Sequence, residues 1–229
     1  MRIGVQSYTF RKLGFQRAVE YCSLRGLKVL EAYPAHVPPN IEGARLAREV
    51  SDRVSVSSHG VNKMEGTGLS SLFSFAKEGG VEVLVADPSP ESLPTVDQLA
   101  KEFDVRVAIH NHGPKHRWGS ALSAGELLQS YDRRLGLCLD LGHLARSKED
   151  PFKVLEKYGE RLFDVHVKDL NSEEEDVPVG AGVLKVREFL RALRESGLDP
   201  LVMIEYEADP DDPIRGVDQS LAFVRASLE

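Results

Sequence analysis

Eight times along this chain, a short apolar stretch of strand character gives way to a segment whose apolar residues recur every three or four positions. The spacing predicts strands at 3–8, 28–33, 54–58, 81–86, 106–109, 135–139, 162–165 and 201–204. Helices are expected at 15–24, 41–50, 69–77, 96–102, 124–131, 151–158, 186–196 and 217–228. Strict alternation with short connections implies parallel neighbours, since each helix carries the chain back to begin the next strand in the same direction. Eight such units are expected to close into a (β/α)8 TIM barrel of the α/β class. An open doubly wound sheet is the other fold compatible with alternation, but it would not gather strands five to eight around one mouth. No Ser/Gly/Pro-rich linker interrupts the 229 residues, so the expectation is a single domain over residues 1–229.

Composition narrows the partners. Lys and Arg total 29 against 36 Asp and Glu, a formal charge of −7, which repels phosphate backbones and argues against nucleic acid. No GxGxxG or GxxxxGK segment follows the first strand, so a nucleotide role has no support. The two cysteines, Cys22 and Cys138, fall in a predicted helix and a predicted strand, and are expected as buried free thiols. With no apolar run long enough for a bilayer and no signal-peptide pattern, the expected setting is cytoplasmic, away from membrane. The mild field is compatible with a small neutral substrate, and a homo-oligomer of the same chain is the other possible association.

The strand ends carry the chemistry. Leu135 to Leu139 runs into Asp140, with His143 three residues on; Arg106 to Ile109 runs into His110-Asn111-His112; Leu162 to Val165 into His166-Val167-Lys168-Asp169; and Leu201 to Ile204 into Glu205-Tyr206-Glu207. A carboxylate or imidazole closing a doubly covered strand has no reason in the fold itself. All seven histidines, His36, His59, His110, His112, His116, His143 and His166, fall at strand C-termini or in the loops that follow. In a barrel those regions are about a third of the chain and form the face where active sites are built, so chance placement would occur about once in two thousand trials.

His110, Asp140, His166 and Glu205 are therefore the candidate metal ligands, converging from strands five to eight. Two imidazoles and two carboxylates suit Mn, Co, Zn or Fe better than Mg, which prefers an oxygen-rich cage. His112 would face the same side as His110, and is either a direct ligand, a support for one, or a substrate contact. His143, His116 and Glu205 are candidates for proton transfer and Lys168 for stabilising an oxyanion. Glu31, His59 and Trp118 complete the expected substrate-binding set, Glu31 through a sugar hydroxyl and Trp118 as an apolar wall. The bland alternatives are a salt bridge for Glu31, an ion-paired lysine for Lys168 and ordinary packing for Trp118. The acidic segment from Asn171 to Asp176 reads as a solvated face or a lid.

From Gly4-Val5-Gln6-Ser7-Tyr8-Thr9-Phe10 to the last helix, the chain resembles the xylose-isomerase-like barrel superfamily of sugar phosphate isomerases and epimerases. The matching motifs are His110-Asn111-His112, Asp140-Leu141-Gly142-His143, His166-Val167-Lys168-Asp169, Ile204-Glu205-Tyr206-Glu207 and Gly180-Ala181-Gly182. In the ketose epimerase branch, Glu, Asp, His and Glu of strands five to eight hold the metal, and the last three map onto Asp140, His166 and Glu205. This chain departs at strand five, where His110 replaces a glutamate that serves as one of two proton-transfer bases. It also has Ser172 near the place of a substrate-binding arginine. The resemblance implies a metal-dependent sugar or sugar phosphate isomerase or epimerase, taking a small-molecule carbohydrate substrate through an enediolate of a metal-chelated keto-sugar. A β-elimination lyase or dehydratase on a 3-keto-glycoside or inosose is the close alternative, and a non-catalytic sugar-binding barrel a more distant one. The apurinic-site endonucleases of similar fold need an Asp-x-His between the last two ligands, and residues 167–204 contain no histidine.

Overall fold

The computed structural model describes all residues, Met1–Glu229. Eight parallel strands form the sheet: β1 (Arg2–Val5), β2 (Val29–Ala32), β3 (Ser55–Met64), β4 (Val83–Pro88), β5 (Arg106–His110), β6 (Leu135–Asp140), β7 (Leu162–Val167) and β8 (Leu201–Ile204). They are ordered β1-β8-β7-β6-β5-β4-β3-β2, and a single parallel bridge between Gln6 and Glu31 joins the two ends into a ring. Helices cover the outside between successive strands, as the expected (β/α)8 barrel requires. None is long and apolar enough to cross a membrane.

Alternation along each strand sorts residues between two environments. Outward positions such as Leu30, Val56, Leu84, Val107, Leu137, Val165 and Val202 join the helices in the larger apolar core. Inward positions Val29, Val83, Val85, Ala108, Cys138, Phe163, Leu201 and Met203 form a separate apolar plug inside the ring. Room for the large members comes from glycine: a Cβ on Gly4 would sit 2.7 Å from Met203 Sδ, and one on Gly136 only 2.5 Å from the Phe163 ring. Both cysteines are buried and free, as expected from their place in the sequence.

The same alternation places the polar ends. Ala108 is followed two residues later by His110, Cys138 by Asp140, and Met203 by Glu205, so each inward apolar residue hands over to a polar one toward the C-terminal mouth. Strand β3 breaks the pattern. Its pairing with β2 shifts register, Leu30 facing Val56 but Glu31 facing Ser58, so Ser58 turns inward and His59 outward. The acidic segment forms a two-stranded hairpin, Asp169–Leu170 against Asp176–Val177. Asp169 anchors the loop that follows: Oδ2 accepts from the backbone N–H of Gly180 at 2.9 Å and Gly182 at 3.2 Å, and Oδ1 from that of Leu184 at 3.1 Å.

His59 lies fully buried against Phe75, ring centroids 4.7 Å apart, and its Nε2 donates to the Val37 carbonyl at 2.8 Å. The expectation that it binds substrate is therefore corrected: the register shift aims it at the helices. Burial lowers its pKa to about 4 from an ordinary value near 6.5. The unfolded chain then takes up a proton that the folded one refuses, so the contribution of His59 to stability should fall as the pH drops from 6.5 toward 4 and stay level above 7. The contribution approaches about 1.4 kcal/mol per pH unit. Urea unfolding of wild type and His59→Gln, which keeps a donor for Val37, at pH 7.5, 6 and 5 isolates it: the wild type should lose stability relative to the variant as the pH falls, and a constant difference would remove His59 as the cause.

Candidate metal centre

Four side chains from four successive strands meet at the barrel mouth. One ligand atom each from His110, Asp140, His166 and Glu205 lies within 4.8 Å of all the others. His110 Nε2 approaches His166 Nδ1 to 3.2 Å, and the same His166 nitrogen lies 3.1 Å from Glu205 Oε2. Asp140 is wholly buried, and its Oδ2 has no hydrogen-bond partner. The nearest side-chain nitrogens, Lys168 Nζ at 3.5 Å and His110 Nε2 at 3.7 Å, stand too far off to satisfy it. A buried carboxylate oxygen left unpaired is costly. Two nitrogens converging on the same point as that orphaned oxygen and a second carboxylate are what a divalent ion with mixed N/O ligands would satisfy.

The supports are as specific as the ligands. Asp140 ends β6 and caps the helix Leu141–Arg146, its Oδ1 accepting from the His143 backbone N–H at 2.7 Å. Asn111 clamps its backbone from β5, with Nδ2 donating to the Asp140 carbonyl at 3.0 Å and Oδ1 accepting from its N–H at 2.8 Å. His166 Nε2 lies 2.7 Å from Glu31 Oε2. Glu31 is held in turn by Gln6 Nε2 at 3.2 Å and Ser58 Oγ at 3.4 Å. None of Asn111, Gln6 and Ser58 is among the expected site residues, because their role depends on cross-strand neighbours that no local pattern reveals.

Charge at the centre is dominated by Lys168. Its Nζ, almost wholly buried, lies 3.3 Å from Glu205 Oε2 and makes an ion pair with Glu207. Burial raises both carboxylates more than any one neighbour lowers them, but the Lys168 charge and the neighbouring histidines together outweigh it, holding Asp140 well below the usual range and Glu205 down to about 2. Both are ionised at neutral pH. Burial works the other way on the imidazoles: it lowers His110 to about 3 against the pull of Asp140, so that ring is neutral with a lone pair, whereas at His166 the charges around it, Glu31 and Glu205 among them, outweigh burial and raise it well above the ordinary value. Beneath Glu31, burial and then the Glu31 charge push Asp164 up to about 8, making it a neutral acid.

The other expected site residues divide. His112, His116 and His143 gather beside the four ligands, with ring centroids 4.5 Å apart for His110–His112, 4.2 Å for His112–His116 and 5.7 Å for His110–His143. His112 and His116 line an open concavity of about 510 Å³ with Gly113, Pro114 and Lys115. His143 lies in a short helix rather than in the loop expected, its Nδ1 without a hydrogen-bond partner. Two expectations are corrected. Trp118 is no exposed wall: only 5% of its surface is accessible, and its Nε1 donates to the Pro88 carbonyl at 2.9 Å, because the loop after β5 folds the indole into the core. Glu31 is fully buried behind His166, out of a substrate's reach.

Residues 90–227 match the family model described as xylose isomerase-like TIM barrel. The chain belongs to that family. Among curated proteins, it is 29% identical over 136 residues to the inosose dehydratase of Clostridium botulinum, the match covering 49% of this chain and 44% of that one. It thus spans under half the length of that relative. Among solved structures, an uncharacterised protein from Parabacteroides distasonis is 28% identical, with TM-score 0.76 and 98% of each chain covered. The IolI protein with a binding zinc atom shares the fold at 16% identity and TM-score 0.84, over 100% of this chain and 98% of its own.

Proposed function

We propose that this member of the family is a metal-dependent lyase: it removes the proton beside the carbonyl of a keto-sugar or ketocyclitol and expels a β-hydroxyl or β-alkoxyl group. The observation that carries this reading is that, of the two carboxylates in the candidate ligand set, only Glu205 keeps any exposure, 9% against none for Asp140. Glu205 reaches the mouth, whereas Asp140 is sealed off with Oδ1 spent on its helix cap, and the strand-five position is a histidine. Inverting a carbon needs proton-transfer groups on opposite faces. Elimination needs one base and an acid for the departing oxygen.

When bound by His110, Asp140, His166 and Glu205, a divalent ion would draw electron density from the carbonyl and acidify the adjacent C–H. Glu205 is the residue that accepts that proton. The C–H electrons form the new double bond, the C–O bond breaks, and the oxygen leaves as water or alcohol with a proton from His143 or His116, so no net oxidation occurs. Lys168 adds a fixed positive charge where the carbonyl oxygen turns negative. The inosose dehydratases among the relatives support a dehydrating outcome.

A sugar isomerase or epimerase is the second reading, favoured by the Lys168 ammonium 3.3 Å from Glu205, a proton-bearing neighbour for the base. Incubating the metal-loaded protein in D2O with an inosose and with a 3-keto-glycoside separates the two. We expect release of water or aglycone with an enone absorbance. Deuterium at carbon without release would establish the isomerase instead, and neither event would overturn both.

A further inference from the structure

We infer that Glu31 is a positioning residue that fixes the ring of His166 for metal binding, acting from the seam where the barrel closes. The inference rests on the metal reading of the centre. His166 must present Nδ1 to His110, Asp140 and Glu205, which requires that nitrogen to be unprotonated and the ring held in one orientation. The opposite nitrogen, Nε2, meets Glu31 Oε2 at 2.7 Å, both groups wholly buried. A carboxylate there can only accept, so Nε2 keeps its proton on Glu31's side and Nδ1 is the nitrogen left to take the cation. Its negative charge also makes the imidazole a stronger donor to a cation.

Glu31 is itself built in. The bridge from Gln6 to Glu31 is the one backbone pairing between β1 and β2, and the Gln6 side chain donates both to Glu31 Oε1 and to the Gly60 carbonyl at 3.0 Å. Ser58, turned inward by the β3 register shift, completes the grip on Oε2. The register shift that misdirects His59 therefore supplies Ser58 to the ligand's support. Three strands outside the ligand set, β1, β2 and β3, converge on the back of one ligand from β7.

The test uses the metal-free full-length protein titrated with Co(II), reading the dissociation constant by chelator competition and the geometry from the cobalt d–d spectrum. Glu31→Met removes acceptor and charge; Glu31→Gln keeps an acceptor oxygen of the same reach. We expect Glu31→Met to weaken Co(II) about 10–100-fold with an altered spectrum, and Glu31→Gln to recover part of both. Glu31→Gln is the decisive variant should Glu31→Met melt early. Wild-type affinity and an unchanged spectrum in Glu31→Gln and in any folded Glu31→Met would overturn the assignment of Glu31 alone. A wild type that takes up no Co(II) would overturn the metal reading and this inference with it.

Discussion

Asp140→Asn should strip the metal from the protein while leaving the barrel standing. The asparagine keeps an Oδ1 that can accept from the His143 N–H, and the Asn111 clamp uses only the backbone of residue 140, so the helix Leu141–Arg146 and the β5–β6 pairing remain. What disappears is the charge and the ligating Oδ2, replaced by an amide nitrogen that cannot bind a cation. Loss of a direct ligand should exceed the 10–100-fold typical of a residue that only supports one, so affinity is expected to drop by more than about a hundredfold, and turnover with it. Asp140→Ala adds the loss of the cap, about 0.5–2 kcal/mol. In a protein of this size that is roughly 2–4 °C of melting temperature per kcal/mol. Metal analysis after dialysis, steady-state rates and thermal melts of the two variants separate the roles. Full metal content and rate in Asp140→Asn would remove Asp140 from the centre.

The barrel was legible because alternation is periodic, and the convergence of the four candidate ligands because each inward strand position leads to the mouth by a step of two. Ala108 predicts His110's direction, and Cys138 predicts that of Asp140. The failures occurred where that step is broken or where chain distance hides the partner. His59 follows a one-residue slip in pairing, which turns Ser58 and His59 to the faces opposite those that unbroken alternation gives. Glu31 ends its strand as expected, but its role is decided by His166, 135 residues away, and by a ring closure visible only in three dimensions. Trp118 was misplaced because a loop has no period: nothing in residues 111–118 announces that the indole turns back to Pro88.

Lys168→Met should produce a protein that holds its metal yet turns over slowly. The ammonium is nearly sealed from solvent and faces Asp140, Glu205 and Glu207, three negative charges whose mutual repulsion it relieves. Those same carboxylates outweigh burial and raise its pKa well above the ordinary lysine value, so it is charged throughout the physiological range. Removing one partner of a buried charge cluster typically costs about 3–5 kcal/mol, and the metal-free variant should melt accordingly lower. A divalent ion restores positive charge to the same oxygens, so the variant should gain more stability from metal than the wild type does, and bind it at least as tightly. Catalysis has no such substitute. If Lys168 neutralises the oxygen that becomes negative during proton removal, its loss should lower kcat about 10²–10³-fold, as for other preorganised donors, with KM moved far less. Melting with and without metal, together with the kcat and KM split, checks both halves. A variant at the wild-type rate would leave Lys168 as a counter-charge only, and one that lost its metal would make it a structural element of the centre.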